Sequence, residues 1–377
     1  MLPYPHRRNT FTFRVFSGIP FLLLSLFIAA AVMTTPLFQS LLSFGNVEKA
    51  LSGLKPESLL EMIGWQNPYF ESVLPHDYNK ISFTESAFRT VTHISFTDER
   101  SLLGNELPGF SIFDSDIIVA GSGTNYTNLP IDTPPPLEYI LKNDPNDSEE
   151  SEPAPKSPPP TDAKVFIYST HSWESYLPLV GKSGAGDANL ATSNNANSNI
   201  YVVDNMLKDA LGTNGVAAVV NNTNITNILH EKNWNTNKAY SASRPLVQAA
   251  IASKNDYQLF IDIHRDSSRK PNTTTTIHGK SYARVAFVIG KENPHSGKNE
   301  TIAKKLFKRL DEKYPGIGRG VIEKSWAEGN GIYNQDLSPH VILIEVGGVD
   351  NTMEELQRTV KALAEIIAEY VKNAEAV

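Results

Sequence analysis

The sequence contains no cysteine among its 377 residues, which excludes disulfide bonds and thiolate metal sites. Any zinc site must therefore be built from histidine, carboxylates and water. The chain also lacks a basic block, and its net charge of −7 gives no indication of nucleic-acid binding. It shows no internal repeat. A length of 377 residues exceeds what one compact core usually holds, and it favours about two domains.

Charge is absent from residues 15–33, a run of 19 apolar or small residues that is long enough to cross a bilayer as a helix. The arginines before this run place residues 1–14 in the cytoplasm by the positive-inside rule. We therefore predict a transmembrane helix at 15–34, with the rest of the chain outside. The alanines at 29–31 leave a cleaved signal peptide as the alternative, although the run exceeds the usual length of a signal h-region.

The remainder of the chain divides into three parts. Residues 35–130 predict a small, mostly helical membrane-proximal domain, because apolar residues recur at helical spacing within 38–63. Residues 131–162 form a linker that prolines stiffen and acidic residues keep extended. Residues 163–377 alternate between strand-like and helix-like segments, which favours an α/β domain with a mostly parallel sheet flanked by helices. The predicted strands are 165–168, 215–220, 257–263, 283–289 and 341–346, and the predicted helices are 200–211, 240–254, 298–314 and 352–373.

Polar side chains come at the ends of three predicted strands of this domain. His171 and Glu174 follow the first strand, His264 ends the third, and Glu345 lies within the last. In open α/β sheets the site lies at the carboxyl ends of the strands, so we expect these side chains to meet in one cleft. Two histidines and two glutamates amount to a ligand set for Zn²⁺ with one carboxylate to spare.

The zinc hypothesis gives each residue a role and leaves alternatives open. His171, Glu174 and His264 are the ligands, and Glu345 is the general base that passes a proton to the leaving amine. Glu174 could instead make an ordinary loop hydrogen bond, with Asp266 as the reserve ligand. His264 could be a satisfied core histidine. A buried Glu345 without a partner would be costly, which favours a metal, a base role or a partner.

Four ordered motifs resemble the stage II sporulation protein P family. They are YSTHSWESY at 168–176, DIHRD at 262–266, YNQDL at 333–337, and LIEVGG at 343–348 with the Asn-Thr pair that follows. The resemblance spans about 164–370, and the N-terminal anchor fits it too. It implies a membrane-anchored peptidoglycan hydrolase of endospore-forming bacteria. Both an amidase activity, which removes the stem peptide from muramic acid, and an endopeptidase activity on peptide cross-links are implied.

The same resemblance implies a cellular setting. The family acts in septal wall thinning and membrane migration during engulfment of the forespore. It works beside the glycan-cleaving stage II sporulation protein D and the membrane protein stage II sporulation protein M. The expected location is the cell membrane at the sporulation septum, with a single-pass anchor and the catalytic domain outside the cytoplasm.

The catalytic region is also similar to zinc N-acetylmuramoyl-L-alanine amidases, which bind zinc by His, Glu and His. His171 matches the first ligand, His264 the second histidine and Glu345 the base. In that wider family the ligand Glu opens the first helix, where this chain has no acid in 197–200. Glu174 is therefore assigned as its substitute.

Three further residues lie near these groups in sequence. Arg265 or Asn351 is the candidate donor to the oxyanion, or the grip on a peptide carboxylate. Asp262 either orients one of the ligands or caps its strand. Two other functions stay open: a metal carboxypeptidase of stem peptides, and a non-enzymatic scaffold that binds the wall.

Overall fold

The structure is a computed structural model that describes residues 115–131, 134–142, 162–253, 255–326 and 329–375. The predicted cytoplasmic tail and transmembrane helix lie outside these residues, as do most of the predicted membrane-proximal domain and linker. Within the described ranges, no helix has the length and apolar character needed to cross a bilayer.

The described residues form nine strands and seven α-helices. The strands are β1 (Asp116–Ala120), β2 (Val165–Tyr168), β3 (Ala218–Asn221), β4 (Leu259–Asp266), β5 (Thr274–Ile277), β6 (Lys280–Ala283), β7 (Val285–Gly290), β8 (Gly318–Lys324) and β9 (Val341–Gly348). The helices are α1 (Leu137–Lys142), α2 (Tyr201–Thr213), α3 (Ile225–Glu231), α4 (Ala239–Ile251), α5 (Lys270–Thr273), α6 (Ser296–Lys313) and α7 (Met353–Glu375).

Seven strands form one sheet in the order β1-β8-β7-β9-β4-β2-β3, and β5 and β6 form a separate hairpin. The strands β3, β2, β4 and β9 are parallel, and β7 and β8 are parallel to each other. Only the β7–β9 and β1–β8 pairs of this sheet are antiparallel. The predicted mostly parallel sheet is confirmed, and the carboxyl ends of β2, β4 and β9 lie at the same edge.

The alternation of side chains along the strands sorts the polar residues onto one face. Ile263 on β4 and Ile344 on β9 join the large core formed with α2, α6 and α7. The opposite face packs on α4. Because successive strand residues point to opposite faces, Asp262, His264 and Glu345 share the α4 face. This places three polar side chains between the sheet and one helix.

Two described elements come from residues that the sequence assigned elsewhere. Strand β1 falls in the predicted membrane-proximal domain, yet it pairs with β8 at the edge of the sheet. Helix α1 falls in the predicted linker, and its Leu137 and Ile140 pack with Trp173 beside α3. The remaining domain limits stay predictions.

Candidate metal centre

The turn after β2 is held by hydrogen bonds on both sides of His171. Ser169 Oγ donates to Asp204 Oδ2 at 2.9 Å. Thr170 donates to Asp262 twice, from its amide at 2.8 Å and from Oγ1 at 2.6 Å. Ser172 Oγ accepts the first amide of α3 at 3.0 Å. These contacts fix the backbone that carries the imidazole.

His171, Glu174 and His264 are brought together as the sequence predicts. Glu174 Oε1 lies 3.0 Å from His171 Nδ1 and 3.7 Å from His264 Nδ1. The two imidazole rings are 4.6 Å apart between centroids and nearly perpendicular, at 77°. One ligand atom from each of the three residues lies within 4.8 Å of the others. Zinc ligands sit at about 2.0–2.2 Å from the ion, so this group could hold one metal ion.

Glu174 is held in this position from two directions. Its amide donates to His171 O at 2.9 Å, which closes the turn between them. Its Oε2 accepts the amide of Arg265 at 2.7 Å, so the side chain reaches across to the end of β4. The other oxygen is left to face both imidazoles. A loop hydrogen bond and a ligand position are therefore compatible in the same carboxylate.

The carboxylates in and around the group His171, Glu174 and His264 favour the binding of one positive charge. Burial alone would raise the pKa of Glu174, but the charge of His264 and the hydrogen bond with His171 hold it below its ordinary value. Burial alone would lower the pKa of His264, but Asp262 and Glu174 together hold it well above its usual range. The carboxylates thus keep a proton on this imidazole, and a divalent cation would supply the same charge compensation while taking the neutral ring as a ligand.

Glu345 lies beside His264, its register partner on the neighbouring strand. The side chain is buried, and its Oε2 has no hydrogen-bond partner among the described residues. Burial raises the pKa of Glu345 to about 8, and the charges of Glu174 and Asp266 add to this while His264 opposes it. An orphaned buried carboxyl oxygen is costly, and it is explained if the group exchanges a proton with a bound reactant.

Asp266 is engaged elsewhere and does not join the metal group. Its carboxylate forms a buried ion pair with Arg319, and its Oδ1 accepts the amides of Ile131 at 3.0 Å and Ser268 at 2.9 Å. These contacts tie the chain before α1 to the end of β4. The carboxylate is therefore committed to the fold rather than held in reserve for a metal.

Asn351 is also placed away from the group. Its Oδ1 accepts the amide of Gly348 at 2.7 Å, and its Nδ2 donates to Thr274 Oγ1 and to Glu355 Oε2, both at 2.9 Å. Gly347 has φ +69°, and a Cβ there would lie 2.6 Å from Asn351 Oδ1. The amide thus closes the tight turn between β9 and α7, with both of its N–H donors used there.

Arg265 lies at the mouth of the group. Its guanidinium is buried and donates to Ala191 O at 3.1 Å, while its Nε finds no hydrogen-bond partner in the described ranges. It lines a small polar cleft together with Glu174, Thr192 and Pro134. Of the two predicted substrate contacts, Arg265 is the one that the structure places next to a candidate ligand.

Sequence reasoning missed two residues that shape the site. Tyr240 on α4 lies edge-on to His171, with ring centroids 5.6 Å apart, and stacks beside His264 at 6.1 Å. Asp204 is fully buried, and burial raises its pKa well above the ordinary value. A signal for Asp204 was available, because an acid three residues from both Tyr201 and Leu207 falls on the buried stripe of a helix. Nothing in the sequence separates Tyr240 from an ordinary core aromatic.

Two solved structures align with a little over half of the chain. Cwp6 from Clostridium difficile aligns with a TM-score of 0.34 and 17% identity, covering 57% of this chain and 30% of that chain. The CwlD amidase from Clostridioides difficile, in complex with the GerS lipoprotein, aligns with a TM-score of 0.32 and 16% identity, covering 56% of this chain and 97% of that chain.

The sequence itself gives a stronger match. The Stage II sporulation protein P of Bacillus subtilis (strain 168) is 42% identical over 369 residues, which cover 94% of this chain and 90% of that protein. The family model for Stage II sporulation protein P (SpoIIP) matches residues 97–368, a range that includes the metal group and Glu345. The chain therefore belongs to the stage II sporulation protein P family.

Proposed function

We propose that this chain is a zinc-dependent peptidoglycan hydrolase that cleaves the amide bond between N-acetylmuramic acid and L-alanine, and also peptide cross-links. The observation that carries the proposal is the buried group His171, Glu174 and His264. On the adjacent strand, Glu345 Oε2 has no hydrogen-bond partner among the described residues. The donor set of two imidazoles and one carboxylate is typical of catalytic zinc. Family membership supports the sporulating cell as its setting.

The chemistry divides between the ion and the chain. Zinc in such a site supplies Lewis acidity and lowers the pKa of water to about 7. Glu345 takes a proton from the attacking water and delivers it to the leaving nitrogen. A carbon–oxygen bond forms as the carbon–nitrogen bond breaks, which leaves a lactyl carboxyl group and the free amine of L-alanine. Cleavage of a cross-link is the same amide hydrolysis, so one site serves both.

Arg265 is the proposed contact to the substrate. Its side chain lines the cleft beside Glu174, where a substrate oxygen would accept a hydrogen bond from the guanidinium. That oxygen is either the developing oxyanion or a carboxylate of the stem peptide. Either contact would hold the scissile bond near the metal group.

The proposed setting is the sporulation septum. The predicted helix at 15–34 would anchor the chain in the membrane, with the catalytic domain outside the cytoplasm. Septal wall thinning during engulfment is the expected task, beside stage II sporulation proteins D and M. These partners rest on the family resemblance.

The test is digestion of purified peptidoglycan by the full-length chain in detergent, with the products identified by mass spectrometry. We expect activity to disappear with a chelator, to return with Zn²⁺ and to be absent in His171→Ala. The matched control is His340→Ala, since His340 is exposed and lies outside the metal group. Release of whole stem peptides identifies an amidase.

Three results would contradict the proposal. Loss of a single terminal residue from the stem peptide would identify a carboxypeptidase instead. Full activity in the presence of the chelator and in His171→Ala would remove metal chemistry altogether. Wall binding without any cleavage, unchanged in His171→Ala, would point to a scaffold.

A further inference from the structure

A chain of four buried hydrogen-bonding side chains runs behind the two histidines. Asn334 Nδ2 lies 3.0 Å from Ser243 Oγ, which lies 2.8 Å from Thr170 Oγ1, which donates to Asp262 Oδ2 at 2.6 Å. All four residues are at most 2% exposed. We call these residues the relay. It joins three separate parts of the fold: the loop before β9, helix α4 and the strand ends that carry the histidines.

The direction of the hydrogen bonds in the relay is fixed by its ends. An amide nitrogen only donates and an ionised carboxylate only accepts. Thr170 spends its one hydroxyl proton on Asp262, so Ser243 donates to Thr170 and in turn accepts from Asn334. Hydrogen bonds that point one way along a buried chain polarise and strengthen each other. The relay therefore behaves as one unit that ends on a single carboxylate.

That carboxylate contacts both histidine-bearing segments. Asp262 Oδ1 accepts the amide of Thr170 at 2.8 Å, next to His171 in sequence. The same oxygen lies 3.2 Å from His264 Nε2, a charge contact whose alignment is poor for a hydrogen bond. The opposite nitrogen of His264 faces Glu174. One side chain thus restrains the backbone before one imidazole and the ring of the other.

The far end of the relay is anchored by the YNQDL motif, residues 333–337, to which the proposed chemistry assigns no role. Tyr333 and Asn334 both hold left-handed backbone, with φ of 56° and 55°. Gln335 bonds the backbone of β7 twice, at 2.8 Å each, and Asp336 pairs with Arg244 on α4 in a two-pronged contact at 2.9 and 2.7 Å. Strained backbone of this kind persists where the surroundings over-determine it, often near functional sites.

We propose that the relay is a positioning device that sets the spacing and ring orientation of His171 and His264, and thereby the affinity of the site for its metal. This inference rests on the proposed metal function. Asp262, Thr170, Ser243 and Asn334 are positioning residues in it, since none of them belongs to the candidate ligand group. In this proposal the YNQDL motif anchors the end of the relay that lies farthest from the metal centre.

The experiment measures metal affinity of the full-length chain in detergent, by competition with a chromogenic chelator for Zn²⁺, and the absorption spectrum of the Co²⁺ form. Thr170→Val removes the hydroxyl and keeps the shape, and we expect affinity to fall about 10–100-fold with an altered Co²⁺ spectrum. Thr170→Ser keeps the hydroxyl and should restore both. Asn334→Gly removes the donor while tolerating positive φ, and a smaller fall in the same direction is expected.

Two variants control for structural damage. Thr359→Val removes an equally buried hydroxyl, which donates to Ala283 O at 2.7 Å from helix α7. Asn233→Gly replaces an exposed asparagine that also has positive φ, at 51°. Unchanged affinity and spectrum in both Thr170→Val and Asn334→Gly would overturn the relay, and if Thr170→Val does not fold, Asn334→Gly decides alone. A wild-type chain that binds neither ion would instead overturn the proposed function on which the relay rests.

Discussion

Two groups of buried charged side chains in the described part of the chain differ in how completely their hydrogen bonds are satisfied. In the first, the metal group with its neighbour Glu345, one carboxyl oxygen has no partner among the residues that the structure describes. The second group, which we call the arginine cluster, consists of Arg284, Arg319 and Asp266. Arg319 pairs with Asp266, and Arg284 donates to the carbonyl oxygens of three residues, at 2.6 to 3.3 Å.

Similar burial therefore has different consequences in the arginine cluster and in the metal group. In the arginine cluster the partners are all protein groups, and the cluster ties the β1 segment to β8 and to the end of β4. Beside the metal group, Glu345 Oε2 has no hydrogen-bond partner within the described part of the chain. Completeness of hydrogen bonding, rather than burial or charge, separates the structural cluster from the candidate reactive one.

The largest expected effect is on catalysis, from a substitution at Glu345 beside the metal group. Glu345→Gln keeps the size of the side chain but removes the proton acceptor, so we expect kcat to fall about 10²- to 10⁴-fold. Folding should be retained, because no hydrogen bond to Oε2 is lost. Rates on purified peptidoglycan measure the first effect, and thermal unfolding measures the second. An unchanged kcat would remove Glu345 as the base.

The arginine cluster should behave in the opposite way. Arg319→Met leaves the buried carboxylate of Asp266 without its cation, and we expect about 3–5 kcal/mol of lost stability. Metal affinity of the folded fraction should stay at the wild-type value. Denaturant unfolding gives the first quantity and chelator competition the second. The double variant Arg319→Met/Asp266→Asn should recover part of the lost stability, because it removes the unpaired negative charge of Asp266.

The pH dependence of stability sharpens the contrast further. Burial raises the pKa of Glu345 from about 4.5 to about 8 in the folded, metal-free chain. Between these values the folded state holds a proton that the unfolded state has released, so stability should fall as pH rises and level off above about pH 8. In Glu345→Gln this slope should weaken. Unfolding free energies measured with chelator from pH 5 to 9 would show it, and equal slopes in both proteins would contradict it.

Much of this arrangement follows from the sequence, for a physical reason. Apolar runs buried on both faces predicted β2, β4 and β9, and polar residues at their carboxyl ends predicted where His171, His264 and Glu345 would meet. Strand β8 was missed because it carries two glycines and the buried Arg319, which break the apolar pattern. The commitment of Asp266 to Arg319 was equally hidden, since 53 residues separate the pair.

The relay shows where sequence reasoning stops. The sequence did not decide whether Asp262 orients a ligand or caps its strand, because both roles require the same residue at the same place. Its contacts with Thr170, 92 residues earlier, and with the ring of His264 favour the orienting role. Long-range pairs of small polar side chains leave no periodic signal, whereas faces of strands and helices do. The motif at 333–337 was visible as a pattern, but its contacts depend on a fold in three dimensions.

The smallest loss of stability is expected from removing ion pairs that are exposed to solvent. Lys313 on α6 pairs with both Glu365 and Glu369 on α7, and its side chain is 29% exposed. Solvent and salt screen such pairs, so Lys313→Gln should cost only about 0.2–1 kcal/mol, and less at high salt. Denaturant unfolding at low and high salt measures this. A loss as large as that of Arg319→Met would mean that the presence of ion-pair partners alone sets how much a charge contributes to stability. A small loss would show that burial sets the contribution of an intact pair. A missing hydrogen-bond partner, as at Glu345 Oε2, then distinguishes the buried charge that is available to react.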